Sequence, residues 1–245
     1  MAKNGRGNIK ESVNSVRNNL TIMSSVIDPI NVSEFDGDGL EIIGTDGFNA
    51  LSGTERADYI EALGAGDFID AASGNDLIDG GLGGDFIHAG DGDDSVLGGG
   101  GKDAIFGGKG QDVVVAGEGN DVIIGGSGDD YLMGNLGDDT IFGGAGDDTI
   151  DGGVGNNVLF GNSGADVFEF AVEDLDAPFI SRVGDFEVGE DSLIVTGLDS
   201  EDSTTFDPNT GYLSVNGDAV VDLRNLENSA DLKMEFNESG EFGIM

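Results

Sequence analysis

Every ninth residue from position 51 to position 168 is a large apolar side chain: Leu51, Ile60, Ile69, Ile78, Ile87, Val96, Ile105, Val114, Ile123, Leu132, Ile141, Ile150, Leu159 and Phe168. Two residues before each stands an Asp, except where Asn49 and Asn157 replace it. Fourteen units of the form G-G-x-G-x-D-x-U-x, with U apolar, therefore run from Gly44 to Glu169 without an insertion or deletion. Gly80-Gly81-Leu82-Gly83-Gly84-Asp85-Phe86-Ile87-His88 is one such unit. The three residues centred on the eighth position alternate out, in, out, which predicts a minimal strand. The other six are rich in Gly and suit a tight turn with φ > 0. Gly holds the fourth position in every unit but two, where Arg56 and Ala65 stand. Two strands and two turns make an 18-residue coil, so the units predict seven coils stacked about 4.8 Å apart. The turns of alternate units then lie over one another and align their sixth-position side chains.

The flanks are not repeats. Over residues 1–43, Ile9, Val13, Val16, Leu20, Met23 and Ile27 recur at alternating spacings of four and three, which predicts a short helix. Asn8 with Glu11 reads as its capping box, and Pro29 ends it. This helix is expected either to cap the first coil or to bind a partner. Asp36-Gly37-Asp38 resembles the start of an EF-hand loop, but Leu40 stands where the third ligand belongs. Residues 170–245 predict a β-rich cap with strands at Phe179–Phe186, Ser192–Val195, Tyr212–Val215 and Ala219–Leu223, and with Asn216-Gly217 as a hairpin turn. The fold class is thus all-β: a parallel β-roll, or β-solenoid, over 44–169 with a short N-terminal helix and a β-rich C-terminal cap.

Composition turns this architecture into a question of stability. Forty-five Gly lose more backbone entropy on folding than any other residue type would, and a formal charge of −39 repels itself. Each coil offers the core only two large apolar side chains. Low hydrophobicity with high net charge is the mark of a disordered chain. A hard cation that takes carboxylate and carbonyl oxygens would cure both defects, and calcium accepts six or more such ligands. Zinc would want thiolates or imidazoles, and the chain has no Cys and one His. Ion binding is then folding free energy, and the chain is expected to be disordered without calcium and folded with it. The expected carboxylate ligands are Asp76, Asp85, Asp94, Asp103, Asp112, Asp121, Asp130, Asp139 and Asp148, with Asp67 and Asp166 at the ends.

At these residues the chain closely resembles the RTX (repeats-in-toxin) family of secreted bacterial proteins. The resemblance implies a ligand set that pairs carbonyls from the second and fourth positions of one turn with those of the first and third positions one coil on. For one site that means Gly81, Gly83 and Asp85 with Gly98, Gly100 and Asp103. Asn49 and Arg56 depart from the pattern and put calcium in doubt at the first two units. The run Val183-Gly184-Asp185-Phe186 and Gly189-Glu190-Asp191-Ser192-Leu193 is similar to the segment that closes such rods in secreted proteases. The tail Glu241-Phe242-Gly243-Ile244-Met245, acidic then apolar, is loosely similar to the family's uncleaved C-terminal secretion signals. The resemblance therefore implies extracellular localisation through the type I secretion machinery. The N-terminus lacks the apolar core of an ordinary signal peptide, and no stretch approaches a membrane span.

Positions seven and nine of each unit should face solvent, yet many are apolar. One face stacks Phe106, Ile124, Phe142 and Phe160 at the ninth position beside Ala104, Val122, Thr140 and Val158 at the seventh. The opposite face stacks Leu97, Val115 and Met133 beside Ser95, Val113 and Tyr131. A lone soluble rod seldom exposes that much apolar surface, so a flank covers one face or a second copy docks there.

Other functions find little support. A metalloprotease helix needs two His, and His88 alone is expected as a surface strand residue. Gly101-Lys102 is followed by Asp103, not the Ser or Thr of a phosphate-binding loop. Paired carboxylates could pose as a glycosidase site, but calcium duty explains them. Nucleic acid is repelled by the acidic surface. The expectation is a non-enzymatic secreted protein that folds and self-assembles on calcium as a structural or adhesive component of an extracellular matrix such as a biofilm. The alternative is a polysaccharide-binding module accessory to a secreted enzyme, although Lys and Arg number only ten.

Overall fold

The computed structural model describes residues 39–171, 180–198 and 202–224, and the backbone of 234–236 and 242–244. Among them the chain is all β, a parallel β-solenoid of two sheets that face each other across one core. The helix expected around Ile9–Ile27 lies outside the described residues. Successive units alternate between the sheets, so each strand pairs in parallel with the strand 18 residues on. Even-numbered units build what we call the Tyr59 sheet, through Ile60↔Ile78, Ile78↔Val96, Val96↔Val114 and onward to Ile150↔Phe168. Odd-numbered units build the Phe68 sheet, from Leu51↔Ile69 to Ile141↔Leu159. Each sheet holds eleven strands.

The eighth-position side chains form the core. Thirteen of the fourteen, Ile60 through Phe168, are fully buried, and only Leu51 is partly exposed. Ala62, Ala71, Ala89 and Ala116 at first positions fill the space between them. The strands of the central units are longer than the three residues expected. Ala104–Lys109 and Val122–Ser127 continue past the ninth position through the first three residues of the next unit. Ladder pairing persists there, as in Gly126↔Gly144 and Ser127↔Ala145, so the turn proper shrinks to the fourth to sixth positions. The second and fourth positions carry the positive φ, as at Gly99 (φ 105°) and Gly101 (φ 147°). A Cβ on either would also collide with the carbonyl of Gly81 or Gly83 one coil below.

The stack extends past the repeats at both ends. Glu41–Thr45 pairs with Tyr59–Leu63 and begins the Tyr59 sheet. Ser181–Val183 and Ser192–Thr196 add one parallel rung to each sheet, placing Val183 over Leu159 and Leu193 over Phe168. The strands at Ser192–Thr196, Tyr212–Val215 and Asp218–Asp222 match the expected ones within a residue, and the strand expected over Phe179–Phe186 is confined to Ser181–Val183. Asn216 (φ 54°) and Gly217 (φ 93°) make the hairpin turn with both central residues left-handed. Antiparallel strands finish each sheet: Thr204–Asp207 with Tyr212–Val215 on one, Phe242–Ile244 and Met234–Phe236 on the other. The tail expected to act as a secretion signal thus lends its backbone to sheet closure. No helix among the described residues is long and apolar enough to cross a membrane.

Candidate metal centre

The 18-residue pairing lines up the sixth-position side chains in two rows, one along each turn edge. Within a row, the backbone N–H of each residue donates to Oδ1 of the residue one coil on: Asp67 to Asp85 (2.7 Å), Asp85 to Asp103 (2.8 Å), Asp94 to Asp112 (2.9 Å), Asp130 to Asp148 (2.9 Å). Each Asp is nearly inaccessible to solvent, between 0 and 3% exposed. One carboxylate oxygen is therefore spoken for and the other is not. Oδ2 of Asp67, Asp76, Asp85, Asp94, Asp103, Asp112, Asp121, Asp130, Asp139 and Asp148 is buried without a hydrogen-bond partner.

Ten partnerless carboxylate oxygens are a severe defect, because a buried charge without a partner costs several kcal/mol. Burial pushes the Asp94 carboxyl up to about 8, and Asp76, Asp103, Asp130 and Asp148 up to about 7. It pushes Asp85, Asp112, Asp139 and Asp166 up to about 6 and raises Asp121 as well. The incoming N–H from the preceding coil opposes this shift and is outweighed. A cation at Oδ2 would remove the defect.

The row ends show what the oxygens need. Asn157 accepts the Asp139 N–H at Oδ1 (2.9 Å) and donates Nδ2 to the Gly153 carbonyl, at the second position of its own turn (3.1 Å). Asn49 donates Nδ2 to the carbonyls of Thr45 (3.2 Å) and Gly47, at the second and fourth positions. An amide N–H thus stands where Oδ2 stands elsewhere and satisfies the carbonyls that the resemblance assigns to the ion. Asp58 needs no ion either, since its oxygens accept from Leu40 N–H and from Thr54 N–H and Oγ1. At the far end Asp191 takes the Asp166 N–H on Oδ1 (3.0 Å) and the Glu187 N–H on Oδ2 (2.7 Å). Asp166 keeps its rung, accepting from Asp148, but its second oxygen is not among the buried, partnerless ones.

Donor chemistry fits a hard cation. Among the described residues no three His, Cys, Asp or Glu side chains cluster as a metal site, so two carboxylates at most would meet one ion and backbone carbonyls would supply the rest. Asp85 Oδ2 and the Gly98 carbonyl converge: a Cβ built on Gly80 would lie 2.8 and 2.6 Å from them. The Gly81 and Gly100 carbonyls each accept one N–H, from Gly100 and Gly83, which leaves each a second lone pair. His88 sits exposed on its strand beside Asp70 (3.2 Å), apart from the rows.

Two features were not anticipated from the repeat. Asp191 continues a row at a spacing of 25 rather than 18, which an 18-residue period cannot reveal. A second ladder runs outside the first through the fifth position, in the opposite direction. Gln111 N–H donates back to Asp93 (2.9 Å), Asp147 N–H to Asp129 (2.9 Å) and Asn156 N–H to Asp138 (2.8 Å). The recurrence of Asp and Asn at that position was its available signal.

The outer faces hold the other expected site. Phe106, Ile124, Phe142 and Phe160 stack on the Phe68 sheet and are half-buried. Phe142 and Phe160 lie face to face (5.0 Å, 4°), and Gly184 has no Cβ because the Phe160 ring occupies that space. The aromatic row is longer than expected. Phe68 and Phe86 are stacked (5.3 Å, 5°), Phe86 meets Phe106 (5.2 Å), and the first two remain 43 and 41% exposed. On the Tyr59 sheet three outward residues, Tyr59, Leu77 and Val115, are 1, 6 and 1% exposed, and the other seventh- and ninth-position side chains from Glu61 to Glu169 are partly exposed.

Comparison with models of protein families finds the RTX calcium-binding nonapeptide repeat in four copies, at residues 43–78, 79–114, 106–141 and 133–168. Together they span just over half of the chain. A search among curated proteins finds no match.

Proposed function

The chain belongs to the RTX calcium-binding nonapeptide repeat family, whose repeats bind multiple calcium ions, and on that footing we propose that it is a secreted protein that folds on calcium and then self-assembles as a structural or adhesive component of an extracellular matrix such as a biofilm. Members of the family are typically secreted, and calcium outside the cell reaches the range that suits moderate-affinity sites. In this reading Asp67 through Asp148 give Oδ2 to the ions, with Asp166 as a terminal ligand and carbonyls such as Gly81, Gly83, Gly98 and Gly100 completing the sets. Each site filled at a hundred times its dissociation constant contributes about 2.7 kcal/mol to the folded state. The protein performs no catalysis in this account; its work is done by surfaces that exist only when the roll is folded.

The observation that carries the assembly is the aromatic row from Phe68 to Phe160, left partly open to solvent along a rod whose interior demands calcium. The test is to size a Phe86→Asp/Phe142→Asp variant beside wild type in calcium. A smaller species is expected, and an unchanged size distribution would sink the assembly. The stacked, exposed Phe68 and Phe86 also favour a second reading, a platform for sugar rings. Under that reading wild type stays monomeric at high concentration and is retained by a polysaccharide resin in calcium, retention being lost with Phe68→Ala.

A further inference from the structure

The outer face of the Phe68 sheet has two unlike ends. Its seventh-position column opens on Phe68, with Asp70 beside it at the ninth position, and closes on Arg182, in register with Val158. Asp70 is about half exposed and Arg182 is exposed, so acid marks one end and base the other. Between them the column is largely apolar, and Phe68, Phe86 and Val122 are 40 to 43% exposed. Val122 lies three rungs from Phe68 and three from Arg182. The charged ends are therefore symmetric about the middle of the face.

Building on the calcium-dependent assembly proposed above, we propose that two copies pack their Phe68 sheets together with the rods antiparallel, about a twofold axis along the strand Val122–Ser127. Such an axis leaves each column facing itself and reverses the order of its rungs. Val122 then meets the partner's Val122, and Phe106 meets the partner's Phe142. Arg182 lands on the partner's Phe68, where its guanidinium lies against the ring and reaches the carboxylate of the partner's Asp70. The twofold axis makes this contact twice, once at each end of the apolar middle. Parallel rods would instead set like rungs together and gather acid against acid and base against base, which is repulsive. Size agrees as well. Six-residue strands reach about 20 Å and the column from Phe68 to Arg182 about 29 Å. Both copies together would bury roughly 1,200 Å², the lower end of a stable interface.

The chain has no Cys, so single introduced thiols report cleanly. In the full chain in calcium, Val122→Cys is expected to form a disulfide-linked dimer on its own. Ala104→Cys and Thr140→Cys are expected to do so only when the two variants are mixed, because these positions face each other across the axis. Cross-linking of Ala104→Cys alone as efficient as in the mixture, or none from Val122→Cys in a chain that still assembles, would overturn the orientation. Charge gives a second readout. Asp70→Arg and Arg182→Asp should each weaken the dimer about tenfold in sedimentation, and the double variant should restore it. A double variant weaker than either single one would overturn the Asp70–Arg182 contact. Wild type that stays monomeric in calcium would overturn the assembly itself, so the two failures are distinct.

Discussion

Leu77 and Phe86 hold the same seventh position in neighbouring units, yet Leu77 is 6% exposed and Phe86 41%. The repeat dictates the same backbone, the same inward eighth residue and the same Asp rung for both. It does not dictate what lies outside. The Tyr59 face combines apolar residues with acidic ends and buries Tyr59, Leu77 and Val115, whereas the Phe68 face stacks rings and leaves them partly open. A uniform interior therefore carries two exteriors that differ in how far their outward side chains are buried.

Equal truncations on the two faces should have unequal effects. Tyr59→Ala should destabilise the calcium-loaded roll by about 3 kcal/mol, as large-to-small changes at buried aromatics do, seen as a lower melting temperature. Phe86→Ala should cost no more than about 1 kcal/mol, the worth of an exposed ring pair, while reducing the assembled fraction in sedimentation. Similar melting temperatures for the two variants would remove the distinction between faces.

Acidification tests the interior that both faces share. In the ion-free roll, burial raises these Asp carboxyls to between about 6 and 8, above their unfolded values. Bound protons thus stabilise the ion-free fold fully at pH values below the unfolded pKa. That contribution is lost as pH rises through 6 to 8. Protons and calcium compete for the same oxygens, so the β signal that calcium adds over chelator should shrink steadily as the pH falls from 8 to 6. The loss should be equal for wild type and Phe86→Ala, because the Asp rows do not depend on the outer rings. A gain that grows on acidification would contradict the assignment of Oδ2 to the ion.

The smallest effect is expected at a row end. Asn157→Asp exchanges a self-satisfied amide for a carboxylate that lacks the Nδ2 donor to Gly153. At limiting calcium its melting temperature should fall slightly, and its calcium dependence should steepen, as read by calorimetry of ion binding. Unchanged calcium dependence would show that the row end lacks the carbonyls an ion needs.

Much of this was legible in the residues. The eighth-position register fixed the parallel pairing at 18, and with it the two Asp rows, because one insertion would have moved every side chain off its face. Asn216-Gly217 announced a hairpin through its turn chemistry. Strand length was underestimated because glycines suited to turns also sit in ladder pairs such as Gly126↔Gly144. Thr204–Asp207 was missed for want of a clear alternation, and Asp191 because its spacing leaves the period. Phe68 and Phe86 escaped because the apolar row passes from the seventh position to the ninth at Phe106. The burial of Tyr59 and Leu77 carried no such signal, because alternation tells which side of a strand a residue takes, not whether water waits there.

The claim on which the rest depends is that ten buried, partnerless carboxylate oxygens make the roll conditional on calcium. Calcium titration of the ion-free full chain at neutral pH, followed by far-ultraviolet circular dichroism, tests it most directly. A chain without roll structure in chelator and a cooperative gain of β signal as the ion is added are the expected result. A full β signal in chelator, unchanged by calcium, would contradict it.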